Sequence, residues 1–322
     1  MQPPGARRTN AGVGVDATLR AAPPLTLAAS ARGDAWFDTS DEKNVDSTSE
    51  LRPTGNLGAE LDVGPVTLAS HVGVVARPPS FVERFGNRGA FIGDPQLRPE
   101  SATTIDLGAS FTRRLGRVRF HAEAAAFATF AENLIVFVSQ GFYGNAKATN
   151  IGRARLLGTE AEARASAFGL ELRLSHTALA TANESQCRYI GGACERPPLV
   201  GRPENDFVGD LSYQLGPVRV RYGVDLVAGI YRDELANIRV PDRVLHSAGA
   251  RLDVPGASGL SLTLDVRNLF DLRVAEYAGV SGPYRGPIGD ALDFPIPGRR
   301  FLLAARWVFP EPKAGASVRG PQ

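Results

Sequence analysis

Leu260-Ser-Leu-Thr-Leu-Asp-Val-Arg-Asn-Leu-Phe-Asp271 alternates aliphatic and polar residues from Leu260 to Arg267 without a break. Leu260, Leu262, Leu264 and Val266 share one face, and Ser261, Thr263, Asp265 and Arg267 the other, because successive strand side chains point to opposite faces. Two folds produce this pattern. A soluble sheet turns the leucines inward to a core. A membrane barrel turns them out to lipid and lines its lumen with the polar residues.

Composition narrows the field. The chain has 322 residues, 43% of them hydrophobic, and a net charge of +2 from 36 basic and 34 acidic residues. That hydrophobic content excludes a largely disordered chain, and no basic block marks a nucleic-acid surface. The longest nearly apolar run, Ala124–Ala131, is far short of the roughly 20 residues of a transmembrane helix. A helical membrane protein is excluded; a β-barrel is not, because its strands leave only a weak hydropathy signal. Met1 is followed by Gln-Pro-Pro-Gly-Ala-Arg-Arg, which is not a secretory leader.

Thirteen segments alternate: 11–20, 25–37, 54–63, 66–77, 102–114, 118–131, 148–166, 170–181, 204–215, 218–231, 243–254, 260–270 and 299–309. In one of the clearest, Val218, Val220, Tyr222, Val224 and Leu226 oppose Arg219, Arg221, Gly223 and Asp225. Such repetition predicts an all-β protein. Six connections are very short: Ala21–Pro24, Gly64-Pro65, Leu115–Arg117, Ala167–Gly169, Gly216-Pro217 and Pro255–Gly259. The other six are longer, at about 38–53, 78–101, 132–147, 182–203, 232–242 and 271–298. Short and long alternate along the chain. An outer-membrane barrel requires that, with short periplasmic turns and long extracellular loops; a sandwich does not.

The polar faces carry Glu160, Glu162, Arg164, Arg219, Arg221, Asp225, Asp265 and Arg267. A dry core could not hold so many charges, since unpaired buried charges cost several kcal/mol each; in a sandwich they would face solvent. The Ala-rich stretch His121–Ala131 favours helix by propensity alone, but its neighbours read as strands and a strand is expected. His176, on the apolar side of its segment, is a second mild misfit.

Arg77-Pro-Pro-Ser-Phe-Val-Glu-Arg-Phe-Gly86, then Gly93-Asp-Pro-Gln-Leu-Arg-Pro-Glu100, resembles a segment of TonB-dependent outer-membrane receptors. Four further stretches resemble that family in its own order: Asn150-Ile-Gly-Arg-Ala-Arg-Leu-Leu-Gly-Thr-Glu160, Val200-Gly-Arg-Pro203, Val266-Arg-Asn-Leu-Phe-Asp271 and Pro297-Gly-Arg-Arg-Phe301. The resemblance implies an antiparallel transmembrane β-barrel in the bacterial outer membrane, this chain supplying the last 13 of 22 strands. The family's plug, TonB box and leader are not found in the sequence. The expected organisation is a loop or disordered start over 1–10, a partial barrel over 11–309 and a disordered tail over 310–322.

The resemblance also implies a function: active uptake of a ferric siderophore or cobalamin-type ligand, with TonB engaged only through a missing N-terminal part. Outer-membrane lipid and the outer-membrane assembly machinery are the other implied partners. Phe301, Leu303, Ala305, Trp307 and Phe309 alternate to an aromatic end, as that assembly signal does. Arg88, Phe91, Phe142, Tyr143, Arg188 and Tyr189, in three of the long loops, are the candidate contacts to an anionic iron chelate. Cys187 and Cys194 share one loop; a disulfide is expected in an oxidising compartment, and free thiols in the cytosol. Asp38–Asp46 is an acidic loop without an EF-hand pattern, read as a solvated tip. Trp36, Phe37, Tyr213, Tyr231, Trp307 and Phe309 fall near strand ends, where an interface girdle would place them.

Catalysis is not expected. His71, His121, His176 and His246 fall on four different segments with no metal spacing, and there is no Gly-x-Ser-x-Gly or dinucleotide fingerprint. No metal or cofactor is implied. The alternatives are a passive pore, a non-functional receptor fragment, or a soluble β-sandwich binding module.

Overall fold

The computed structural model describes residues 5–40, 47–86, 91–139, 145–272, 274–279, 282–287 and 297–309. Thirteen long strands form one antiparallel sheet in chain order. They are β1 (Ala6–Ala22), β2 (Leu25–Ser40), β3 (Thr48–Val63), β4 (Val66–Arg77), β5 (Glu100–Leu115), β6 (Val118–Ser139) and β7 (Ala146–Ala167), then β8 (Leu170–Asn183), β9 (Asn205–Leu215), β10 (Val218–Ala228), β11 (Arg243–Asp253), β12 (Leu260–Arg267) and β13 (Arg300–Trp307). A two-residue strand, Phe91–Ile92, adds parallel to β7.

Several strands run further than their alternation suggested. β1 begins inside the stretch 1–10 read as a loop start, because Ala6–Asn10 pair in register with Trp36–Ser40. β2 and β3 likewise extend into the expected loop 38–53. Two strands stop early, where the backbone turns left-handed: β10 before Gly229 (φ 75°) and β12 before Asn268 (φ 50°). The tail 310–322 lies outside the described residues.

Five of the six short connections are two-residue hairpins; the sixth, 254–259, is longer. Gly64-Pro65 and Gly216-Pro217 place glycine at φ 60° and 56° ahead of proline. Glycine at the first central position is the type II′ requirement, and such turns match the right-handed twist of the strands. Phe168-Gly169 has both residues at positive φ, the type I′ form.

The register assigns each side chain to a face. Leu264 stands beside Ala250 and Leu303, Ala250 beside Val220, and Val220 beside Tyr213. From β8 back to β3 the same face holds Leu172, Ala165, Phe120, Phe111, Val66 and Val63. These aliphatic side chains have no protein cover: Leu107 is 64% exposed, Val13 79% and Leu303 81%. A sandwich would bury them, so this face needs lipid. The opposite face carries the charges.

Buried apolar residues gather instead at the long-loop end. Ala131, Val136, Val138, Ile151, Ala154 and Leu199 form one cluster, and Leu97, Ile135 and Ala148 another. Loop segments there fold back onto the ends of β6 and β7. The Ala-rich stretch is a strand within β6, paired on both sides.

Candidate ligand-binding site

The connection 78–99 is built around a short helix, α1 (Phe81–Phe85). Ser80 caps it: the Glu83 N–H donates to the Ser80 hydroxyl, and the Ser80 N–H donates to the Glu83 carboxylate at 2.6 Å. This is a reciprocal capping box. Arg77 donates both terminal nitrogens to Glu83 at 2.9 Å and its Nε to Glu100 at 2.6 Å. The other Glu100 oxygen accepts the Ile135 N–H at 2.6 Å. One chain of charge-assisted bonds thus ties the start of the loop to its end and to β6. Burial pushes the Glu83 carboxyl up, but Arg77 and the Ser80 N–H hold it below the ordinary carboxylate range.

A second network pins the loop to β1, β2 and β3. Asp38 accepts Arg8 Nε and Nη2 at 2.6 and 2.7 Å, and Arg84 Nη1 at 2.7 Å. Arg8 also donates to the Pro79 carbonyl at 2.7 Å and lies over the Phe81 ring. Arg84 reaches Thr48 at 2.6 Å. Asp38 and Arg84 are each 5% exposed. Burial pulls the Arg84 guanidinium below the usual arginine range, with Asp38 opposing. Asp38, read as part of a solvated acidic loop, is therefore a buried anchor. Residues 41–46 lie outside the described part.

The connection after β8 carries a small hairpin, Arg188–Ile190 with Ala193–Glu195. In the structure Cys187 and Cys194 are bonded at its base, their Cα atoms 5.4 Å apart. Arg188 donates to the carbonyls of Leu235 and Ala236 at 3.3 and 3.0 Å and to Glu195 at 3.2 Å. Gln186 donates to Glu234 at 2.8 Å. Two neighbouring connections are thereby held together. Tyr189, on the same hairpin, is 76% exposed.

Of the six expected contacts, Arg88, Phe142 and Tyr143 lie outside the described residues. Phe91 packs on Phe137, ring centroids 4.6 Å apart, on the β6–β7 side. Arg188 and Tyr189 sit together on the disulfide hairpin. The anchors Arg8, Asp38 and Arg84 were not picked out by sequence reading. The Ser80-Phe-Val-Glu83 pattern was the available signal for α1. Nothing local marks Asp38, whose partners lie 30 and 46 residues away.

Below the loops the inner wall is a field of ion pairs, some across strands and some along one strand. Arg221 meets Asp265 at 2.7 Å across β11, Arg173 reaches Glu162 at 3.4 Å, and Arg164 also binds Glu162. His71 lies 2.9 Å from Asp106. Most of the arginines are about half exposed, so each pair contributes little and exchanges readily with water or a polar solute. Among the described residues no group of three His, Cys, Asp or Glu forms a metal site. Of the expected girdle aromatics, Phe37, Tyr213 and Trp307 stand on the lipid-facing row, and Trp36 on the inner face.

No curated protein matches the chain. Solved structures do. The copper transporter OprC superposes with a TM-score of 0.70 at 22% identity, over 94% of this chain and 48% of that one. The siderophore receptor PiuA from Acinetobacter baumannii gives 0.69 at 17% identity, over 94% and 43%. The hemophore receptor HasR of Serratia marcescens, solved with its hemophore HasA and heme, gives 0.64 at 17%, over 94% and 51%. The chain spans about half the length of these relatives. The family model described as TonB dependent receptor-like, beta-barrel, matches residues 1–269. This chain is an outer-membrane β-barrel polypeptide and belongs to the TonB-dependent receptor-like barrel family.

Proposed function

We propose that the chain forms the wall and loop-bearing mouth of a receptor for active uptake of a ferric siderophore or a cobalamin-type ligand, without catalysis. The observation that carries this reading is the polar inner face, closed at one end by loops anchored through buried ion pairs. A fixed mouth above a hydrated wall of both charge signs suits capture and release of a large polar solute. Ligand contacts would come from Tyr189, Phe91 and Arg188, with Arg88, Phe142 and Tyr143 from the neighbouring loops. TonB would act through a part of the receptor outside this chain. Iron-chelate neighbours such as PiuA favour the siderophore over cobalamin.

The test is uptake by cells of the native host in which the gene is deleted and restored. Loss of labelled ferric-siderophore uptake on deletion, its recovery on restoration, and its abolition by an uncoupler support energised import. Uptake that survives the uncoupler supports the rival reading of a passive pore.

A further inference from the structure

One cleft belongs neither to the mouth nor to the inner wall. It has a volume of about 590 Å³ and lies on the lipid-facing side of β4–β8 at the loop end, lined among others by Phe130, Glu132, Arg153, Arg155, Glu184 and Arg196. The register fixes its orientation. Arg155 stands between Phe130 and Ala182, and Arg153 opposite Glu132. All continue the outward row of Ala161, Thr159 and Leu157.

The height of that row places the arginines. From Ala167 to Leu157 the outward side chains of β7 are Ala167, Ala165, Ala163, Ala161, Thr159 and Leu157. That stretch rises about 33 Å along the strand at ~3.3 Å per residue, or about 25 Å once a tilt of roughly 40° is allowed for. An outer-membrane barrel has an apolar band of about that height. Arg155 is therefore the first outward charge above the band on β7, with Arg153 one step beyond.

The charges are unevenly used. Glu184 is shared by Arg155 at 3.3 Å and Arg196 at 3.7 Å. Among the described residues Arg153 has no ion-pair partner, and its neighbour Glu132 makes none either. Three guanidiniums against two carboxylates leave a net positive cleft. It opens above a bare aliphatic surface, where Leu157 is 40% and Ile105 49% exposed.

We propose that this cleft binds the phosphate-bearing headgroup of an outer-membrane lipid, with acyl chains lying on the aliphatic row below. Arginine matches phosphate by paired donors, and the apolar row supplies what a free anion would not use. The proposal needs only the outward orientation of this face; it stands or falls separately from the uptake reading.

The experiment uses the receptor purified from its own outer membranes and placed in phosphatidylcholine nanodiscs doped with diphosphoryl lipid A or its dephosphorylated form. Binding is read by native mass spectrometry. Each basic side chain at an anionic lipid surface changes affinity roughly fivefold, so R153Q/R155Q/R196Q lowers it about a hundredfold. Arg119→Gln, on the inner face at the opposite end, leaves it unchanged. Glu132→Gln tightens binding several-fold and guards against a triple variant that fails to fold. Equal affinity for the dephosphorylated lipid, or no change with Glu132→Gln, overturns the proposal. Full competition by inorganic phosphate overturns it in favour of a free-anion site.

Discussion

At the scale of single residues, glycines on the inner face decide which ion pairs can form. Gly249 lies on β11 between Arg221 of β10 and Asp265 of β12. A Cβ there would collide with Asp265 Oδ1 and press on Arg221 Nε. Gly249→Val should push Asp265 and Arg221 apart and break the bridge, yet lower stability by less than about 1 kcal/mol because the pair is exposed, read as a nearly unchanged denaturant midpoint in micelles. Gly249→Ala should do the same with a smaller effect. The anchor Asp38 is a sharper case. Asp38→Ala leaves Arg8 and the buried Arg84 without their carboxylate, and breaking a buried pair costs roughly 3–5 kcal/mol. Arg84→Met removes the buried charge itself, so it should cost less and leave Arg8–Asp38 intact. Protease cleavage within 78–99 orders the two: faster in Asp38→Ala than in Arg84→Met. Equal rates would mean that Asp38 does not hold the loop. Strand alternation could not reveal this residue. Asp38 sits at an inward position like many others, and only the fold brings Arg84 to it.

Elements show the reverse. Alternation and turn chemistry placed all thirteen strands in order, because a register slip would put Arg267 and its like into lipid. Intrinsic propensity runs against the fold at His121–Ala131, where the neighbouring strands lead to the strand that is found. There the alanines of β6 face alanines of β7 (Ala122 with Ala163, Ala124 with Ala161), and pairing on both sides outweighs helix preference. Loop architecture was less legible, since its determinants are ion pairs distant in sequence. The capped helix α1 makes one of those pairs pH-dependent. The Glu83 carboxyl titrates below the ordinary glutamate range, so its contribution is complete above that range and lost as pH falls through the depressed value. A nitroxide at Val82→Cys, a position 41% exposed, should keep constant mobility from neutral pH down to the ordinary glutamate range and loosen only below it. Glu83→Gln should abolish that transition. Loosening already in the histidine range would assign the anchor to another group.

At the scale of the whole molecule, the sheet has two free edges. Among the described residues β1 pairs only with β2, and β13 only with β12. In a bilayer each unpaired backbone group on those edges costs several kcal/mol, so both must find strand partners there. The sheet cannot readily supply them itself. With thirteen antiparallel strands, β1 and β13 both run from the loop end to the turn end, and closing the ring would join them in parallel. Parallel pairing is the less stable ladder, and bacterial single-chain barrels of this type keep an even strand count. Both edges are thus expected to pair with further strands, on the same polypeptide or another. Cysteines at the outward edge positions Val13 and Leu303 test this, because Cys187 and Cys194 are already bonded to each other. In membranes of the native host, V13C/L303C should give no disulfide between the two edges of one chain under mild oxidation. A cross-linked monomer would show that the thirteen strands close on themselves and that the parallel seam is stable. No cross-link, with the chain still protected from protease, would mean that other strands occupy both edges.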